Sequence, residues 1–121
     1  MPSRETVERF IDLVSQNRHL EAIEAFYADD ATMQDNNQAP RFGRANLMEH
    51  ERQEMGGVKS VFTHPVDSFF VDGDRVVIHW VFDFTLPDDR VFRIDELAHQ
   101  DWHDDKIVRE RFFYDPARHW L

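Results

Sequence analysis

The feature that most restricts this chain is the strict alternation between Arg75 and Leu86. Val76, Ile78, Trp80, Phe82 and Phe84 fall on one side; Arg75, Val77, His79, Val81 and Asp83 fall on the other. A period of two is the spacing of a strand with one buried face, and a helix would scatter this apolar set around its circumference. Val91 to Trp102 repeats the pattern, with Phe92, Ile94, Glu96, Ala98, Gln100 and Trp102 on its more apolar face. Lys106 to Tyr114 reads as a last strand, stopped by Pro116. Ahead of these, Val61 to Val71 reads as one strand interrupted by Pro65, which marks an edge or a bulge. The joints are Asp72-Gly73-Asp74, Pro87-Asp88-Asp89 and His103-Asp104-Asp105. Turns that short join antiparallel neighbours.

The first part of the chain has a different period. Ser3 is placed to cap a helix in which Val7, Phe10, Ile11 and Val14 form one stripe. Asn17 to His19 punctuates it, and Leu20, Ile23, Phe26 and Tyr27 make a second, shorter helix. Ala28-Asp29-Asp30 is expected to break that helix, because short polar side chains compete for its backbone. Ala31 to Asp35 then reads as a short strand with Ala31, Met33 and Asp35 on one face. Asn36 to Phe42 reads as an irregular loop around Pro40. Gly43 to Met55 reads as a third helix, with Leu47, Met48, Glu51 and Met55 on one face and Gly56-Gly57 ending it. Helices followed by an antiparallel meander give an α+β class: three helices packed on a curved, mainly antiparallel sheet around a pocket.

Composition excludes several functions. With 121 residues, a single domain over 1–121 is expected. The net charge of −10 and the lack of clustered Lys and Arg argue against nucleic acid and anionic membrane surfaces as partners. There is no cysteine, hence no disulfide or thiolate chemistry. Met1 to Glu5 has no apolar leader region and no long apolar run follows, so a cytoplasmic location is expected. The seven histidines have no spacing typical of a metal site, and His50, Glu51 and Glu54 read as solvated; neither metal nor cofactor is expected.

Tyr27-Ala28-Asp29-Asp30-Ala31-Thr32, the Gly43-Arg44 that opens the third helix, and Asp105-Lys106-Ile107 leading into Tyr114-Asp115 carry a resemblance. On these residues and on the order of elements, the chain resembles the SnoaL-like, or nuclear-transport-factor-like, superfamily. The resemblance implies a cone-shaped domain with a pocket between three helices and a curved sheet. That superfamily includes ketosteroid isomerases, polyketide cyclases, dehydratases, epoxide hydrolases and non-catalytic binding modules, and a shared fold does not choose among them. Likeness to ketosteroid isomerase implies a general base at Asp35 and a tyrosine at Tyr27. The same likeness puts Phe10 where the main oxyanion tyrosine would stand, and Ala98 near the place of its protonated aspartate. Limonene epoxide hydrolase would need an aspartate where this chain has Phe112. The family register puts Val108, Glu110, Phe112 and Tyr114 on the pocket side.

Asp35 is therefore the candidate catalytic residue. A carboxylate on the apolar side of a strand is a base poised by burial, or it caps a turn near Asn36. Glu96, Gln100 and Glu110 are polar positions on apolar strand faces. They form a ligand-orienting cluster or an acid/base pair with Asp35; for Glu110, pairing with Arg93, Arg109 or Arg111, or a bulge turning it outward, is favoured. Tyr27, Trp80, Phe82, Trp102, Phe112 and Tyr114 form a pocket wall for a small hydrophobic ligand, or plain core, with core favoured for Phe82 and Phe112. The opposite face carries Val77, His79, Val81, Leu97, His99, Ile107 and Phe113, which predicts a homodimer packed sheet to sheet. Trp120 and Leu121 are free to pack on a partner. Two functions follow: a cofactor-independent enzyme of ketosteroid isomerase or polyketide cyclase type acting on a small hydrophobic carbonyl compound, or a non-catalytic small-molecule binding or accessory protein.

Overall fold

The computed structural model describes all residues, Met1–Leu121. Helix α1 spans Arg4–Ser15, and the Ser3 hydroxyl accepts the Thr6 backbone N–H at 3.1 Å, which fixes its start. It buries Val7, Phe10, Ile11 and Val14, the stripe that its spacing requires. Helix α2 (His19–Phe26) packs beside it, and Tyr27 is both its cap and the first residue of strand β1, Tyr27–Asp35. The expected break at Ala28-Asp29-Asp30 is thus a strand segment. It bulges: the parallel register with the last long strand moves from Tyr27↔Ile107 to Thr32↔Arg109. Arg44 holds the bulge, pairing with Asp29 at 2.5 Å and donating to the Tyr27 carbonyl at 3.2 Å.

The expected loop contains a strand. Arg41–Phe42 forms β2, antiparallel to β1, with Met33 opposite Arg41. Asn36, at a φ of 50°, makes the reversal possible. Helix α3 (Arg44–Gly56) follows and buries Leu47. The single strand expected over Val61 to Val71 is two, β3 (Ser60–Thr63) and β4 (Phe69–Asp72), because Pro65 lies in the gap. Both pair with β5 (Arg75–Thr85), which runs on through β6 (Val91–His103) to β7 (Lys106–Phe113). The sheet order is β2-β1-β7-β6-β5-β3, and only the β1–β7 pair is parallel. The tail forms β8 (His119–Trp120), which returns to its own β6, with Trp120 edge-on to Phe92 at 5.8 Å.

One irregularity in β7 decides which side chains face inward. Asp101 pairs with Arg109, but Trp102 pairs with Ile107, so β7 carries one extra residue there. Ile107 and Glu110 consequently both face the core although three positions apart, at 0% and 1% exposure. This corrects the assignment of Ile107 to the outer face, which strict alternation from Phe113 required. The core is aromatic: Phe10 meets Phe26, Trp80 and Trp102 edge-on at 5.5, 6.4 and 6.2 Å. No helix is long and apolar enough to cross a membrane.

Candidate functional site

The helices do not fill the concave side of the sheet. A cavity of about 500 Å³ remains, walled by Phe10, Ile23, Trp80, Phe82 and Phe112. Five carboxyl groups line it, from four elements. Asp35 comes from the end of β1, Glu51 and Glu54 from α3, and Glu96 and Glu110 from β6 and β7. Their surroundings differ. Asp35 accepts from the Arg41 guanidinium at 2.8 Å, an ion pair created by the β1–β2 hairpin. Glu110 has no cationic partner. Its Oε1 accepts from the Tyr27 hydroxyl and its Oε2 from Gln100 Nε2 at 2.6 Å. The Gln100 carbonyl in turn accepts from Trp102 Nε1 at 3.0 Å. Glu96, beside Trp80 on the neighbouring strand, has neither an ion pair nor a hydrogen bond among those the structure forms.

Charge follows these surroundings. Burial raises Glu96 to about 8, with Glu110, Asp35 and Glu51 adding repulsion. Burial also raises Glu110 to about 7, against the two hydrogen bonds that favour its ionised form. Glu51 is raised to about 7 by burial and by Glu54, with Arg41 opposing. Tyr114 is pushed up to about 12, by burial first and then by Asp35 and Glu96. His19, whose Nδ1 is 3.8 Å from Glu51, is pushed down by burial. The site is therefore acidic in composition yet partly protonated near neutral pH, and no group of three or more His, Asp or Glu is placed to hold a metal ion.

The SnoaL-like domain family matches residues 7–110, most of the chain. The chain belongs to that family. Among curated proteins none matches it in sequence. Solved structures agree on the fold of this SnoaL-like domain. A proposed SnoaL-like polyketide cyclase from Mesorhizobium loti is 22% identical with a TM-score of 0.78, over 94% of this chain and 100% of that one. An NTF2-like protein of unknown function from Burkholderia pseudomallei K96243 is 15% identical with a TM-score of 0.78, over 92% of this chain and 88% of that one. A hypothetical protein of ketosteroid isomerase-like fold from Catenulispora acidiphila DSM 44928, in complex with trimethylamine, is 16% identical with a TM-score of 0.78, over 95% of this chain and 88% of that one. At these identities the likeness is one of fold.

Within this SnoaL-like domain, Asp35, Tyr27, Trp80, Glu96, Glu110, Phe112 and Tyr114 all line the cavity. Gln100 and Trp102 do not; they lie behind Glu110 as its buried support, at 0% and 2% exposure. Glu110 pairs with none of Arg93, Arg109 or Arg111: it faces inward in regular alternation with Phe112, opposite Gln100, and the β7 bulge lies beyond it, between Ile107 and Arg109. Arg109 bonds Asp101, and Arg93 bonds Asp83, on the far face. Phe10 and Ala98 are both buried and place neither a hydroxyl nor a carboxyl. Sequence reasoning missed Glu51, Arg41 and His19. Glu51 was visible as a carboxylate on the face shared with Leu47, yet was read with His50 as solvated. Arg41 gave no signal, because its position depends on a two-residue strand.

Proposed function

We propose that this chain is a cofactor-independent enzyme of the ketosteroid isomerase or polyketide cyclase type, moving a proton on a small hydrophobic carbonyl compound. The observation that carries this reading is the pairing of unlike carboxyls across one apolar cavity. Asp35 is partnered by Arg41, while Glu96 has no partner and is raised to about 8. By register, Asp35 lies beside Phe112, Phe112 beside Ala98, and Glu96 two positions beyond on the same face. Two strand spacings and two residues of offset separate the backbones by about 12 Å, leaving room between the side chains for a small ring. Asp35 takes a proton from the carbon next to the carbonyl, the C–H electrons form the enolate, and the oxygen accepts from the protonated Glu96 or from Tyr114. These two donors supply what Phe10 and Ala98 lack. The proton on Asp35 then returns to another carbon.

Deuterium uptake from solvent into cyclohexanone, followed by NMR, tests the reading. Asp35→Asn should abolish uptake, and Glu96→Ala should slow it about a hundredfold. Wild-type uptake should fall as pH rises through about 8, where Glu96 ionises. Asp35→Asn should also lose about 1 kcal/mol of stability, since Arg41 loses its ionic partner. That reverses the expectation for an unpartnered buried carboxylate, which an amide would relieve. The same ion pair favours a second reading, a non-catalytic binding protein, because Arg41 already engages the Asp35 carboxylate that would have to take the proton. Ligand binding without uptake above the solvent rate would put that reading first.

We propose further that the chain is a homodimer through the outer face of the sheet. Leu97 and Phe113 are paired there at 47% and 45% exposure, with Val77 and Val81 on adjacent strand positions. Sedimentation at micromolar concentration should report a dimer.

A further inference from the structure

The cavity holds more negative groups than cations available to meet them. Arg41 is committed to Asp35, and Arg118 stacks on Phe92 at 4.3 Å. Glu51, Glu96 and Glu110 have no lysine or arginine partner. Carboxyl groups enclosed by aromatic walls without a countercharge are costly when ionised.

Glu110 adds an independent observation. Tyr27 and Gln100 both point donors at it, one at each oxygen. Gln100 cannot turn its carbonyl toward Glu110, because Trp102 Nε1 has only a proton to give and already holds that carbonyl. The buried chain from Trp102 through Gln100 is therefore built to meet a carboxylate. Glu51, Glu96 and Glu110 all line the same cavity, so the three groups share one space.

We propose that the ligand of this cavity carries a protonated amine on a small hydrophobic body, with the ammonium seated between Glu51 of α3 and Glu110 of β7. Phe10 and Trp80 stand in the same wall, and aromatic rings attract a cation. The inference rests on the cavity used for the proton-transfer reading and narrows its substrate to an amino-carbonyl compound. Glu96 keeps its proton as the neutral donor, while Glu51 and Glu110 supply the charge.

Six elements around the ammonium contribute titratable or charged groups, whereas α1 and β5 bring only apolar side chains. Helix α2 brings His19, β1 brings Tyr27 and Asp35, and β2 brings Arg41. Helix α3 brings His50, Glu51 and Glu54, β6 brings Glu96, and β7 with its following segment brings Glu110, Tyr114 and Arg118. Of these, Glu51 and Glu110 change charge near neutral pH and meet the amine directly. An amine binds their ionised forms, so binding expels their protons and tightens as pH rises, until the amine itself loses its charge near pH 10, at roughly the value of a lysine side chain.

The experiment is calorimetric titration of the full chain with cyclohexylamine, cyclohexanol and cyclohexanecarboxylate. At about pH 8 the amine should bind about tenfold tighter than the alcohol, with the carboxylate weakest. Its affinity should drop about tenfold toward about pH 6. Glu51→Gln and Glu110→Gln should each weaken the amine about tenfold more than they weaken the alcohol. If Glu110→Gln does not fold, Glu51→Gln decides alone. No binding of the amine at millimolar concentration, equal affinity for amine and alcohol, or indifference of the amine to Glu51→Gln would each overturn the proposal. Repeating the titration on Asp35→Asn separates the two readings. A retained amine preference supports this inference even if no proton transfer is found. Solvent exchange into cyclohexanone with no amine preference overturns this inference and leaves proton transfer standing.

Discussion

On β5 the carboxylate of Asp83 faces outward; on neighbouring β6 the carboxyl of Glu96 faces the cavity. Asp83 accepts from Arg93 at 2.8 Å and approaches His64 at 2.7 Å, and these hydrogen bonds, Arg93 first, hold it below the usual carboxylate range. Glu96 has no such partner and is raised to about 8, by burial first. Histidines divide the same way. His79 on the outer face is raised, chiefly by its hydrogen bond with Asp95, whereas His19 at the cavity is lowered by burial. One sheet thus favours the charge of Asp83 on its outer side and suppresses that of Glu96 on its inner side. Residue type does not decide this; partners and water do.

The largest expected effect comes from removing the one inner carboxyl that is fully hydrogen-bonded. Glu110→Ala strips the acceptor from Tyr27 and Gln100 and opens a void, so urea denaturation should show a loss of about 3 kcal/mol. Glu110→Gln keeps the shape and an acceptor and should lose much less. Equal losses would mean that charge at 110 matters to the fold, against the contrast drawn above.

Next comes the pH dependence. Folding raises Glu96 above its ordinary 4.5, so its stabilising contribution is complete below that value and is lost as pH rises through about 8. Thermal melts should therefore fall between about pH 5 and about pH 9, and Glu96→Gln should flatten the fall, gaining on the order of 2 kcal/mol at the upper end. A parent chain whose stability is flat over that window would remove the inner half of the comparison. Asp83 has the opposite sign: its contribution is present above its ordinary 3.8 and is lost as pH falls through its lower folded value. Asp83→Asn should cost about 1 kcal/mol at neutral pH, since Arg93 is partly solvated, and almost nothing in strong acid.

The smallest effect on folding is expected at Leu97. Leu97→Glu on the exposed outer face should change monomer stability by less than about 0.5 kcal/mol. It should nevertheless shift sedimentation from dimer to monomer. A wild-type chain that sediments as a monomer would leave the outer face an ordinary surface.

Much of the fold was legible in the chain itself. Val7, Phe10, Ile11 and Val14, and Val76 to Phe84, state their period without help, because a helix or a strand buries whatever repeats at its own pitch. Asp35, Glu96 and Glu110 were legible as polar residues breaking apolar faces. Their states were not. An ion pair for Asp35 needs Arg41, and Arg41 arrives through the short strand β2, which local propensity does not announce. The inward turn of Ile107 needs the extra residue in β7, since a one-residue slip moves side chains to the other face, and the donors that meet Glu110 come from Tyr27 and Gln100 on other strands. Glu51 needs α3 to lie across the cavity rather than against solvent. The sequence by itself determined the three helices and the long strands and that polar groups interrupt their buried faces. Only the tertiary structure decided which of those groups meet a cation, a hydrogen-bond donor or nothing at all. The reason is physical: periodicity is a property of neighbours along the chain, whereas desolvation and pairing are set by neighbours in space.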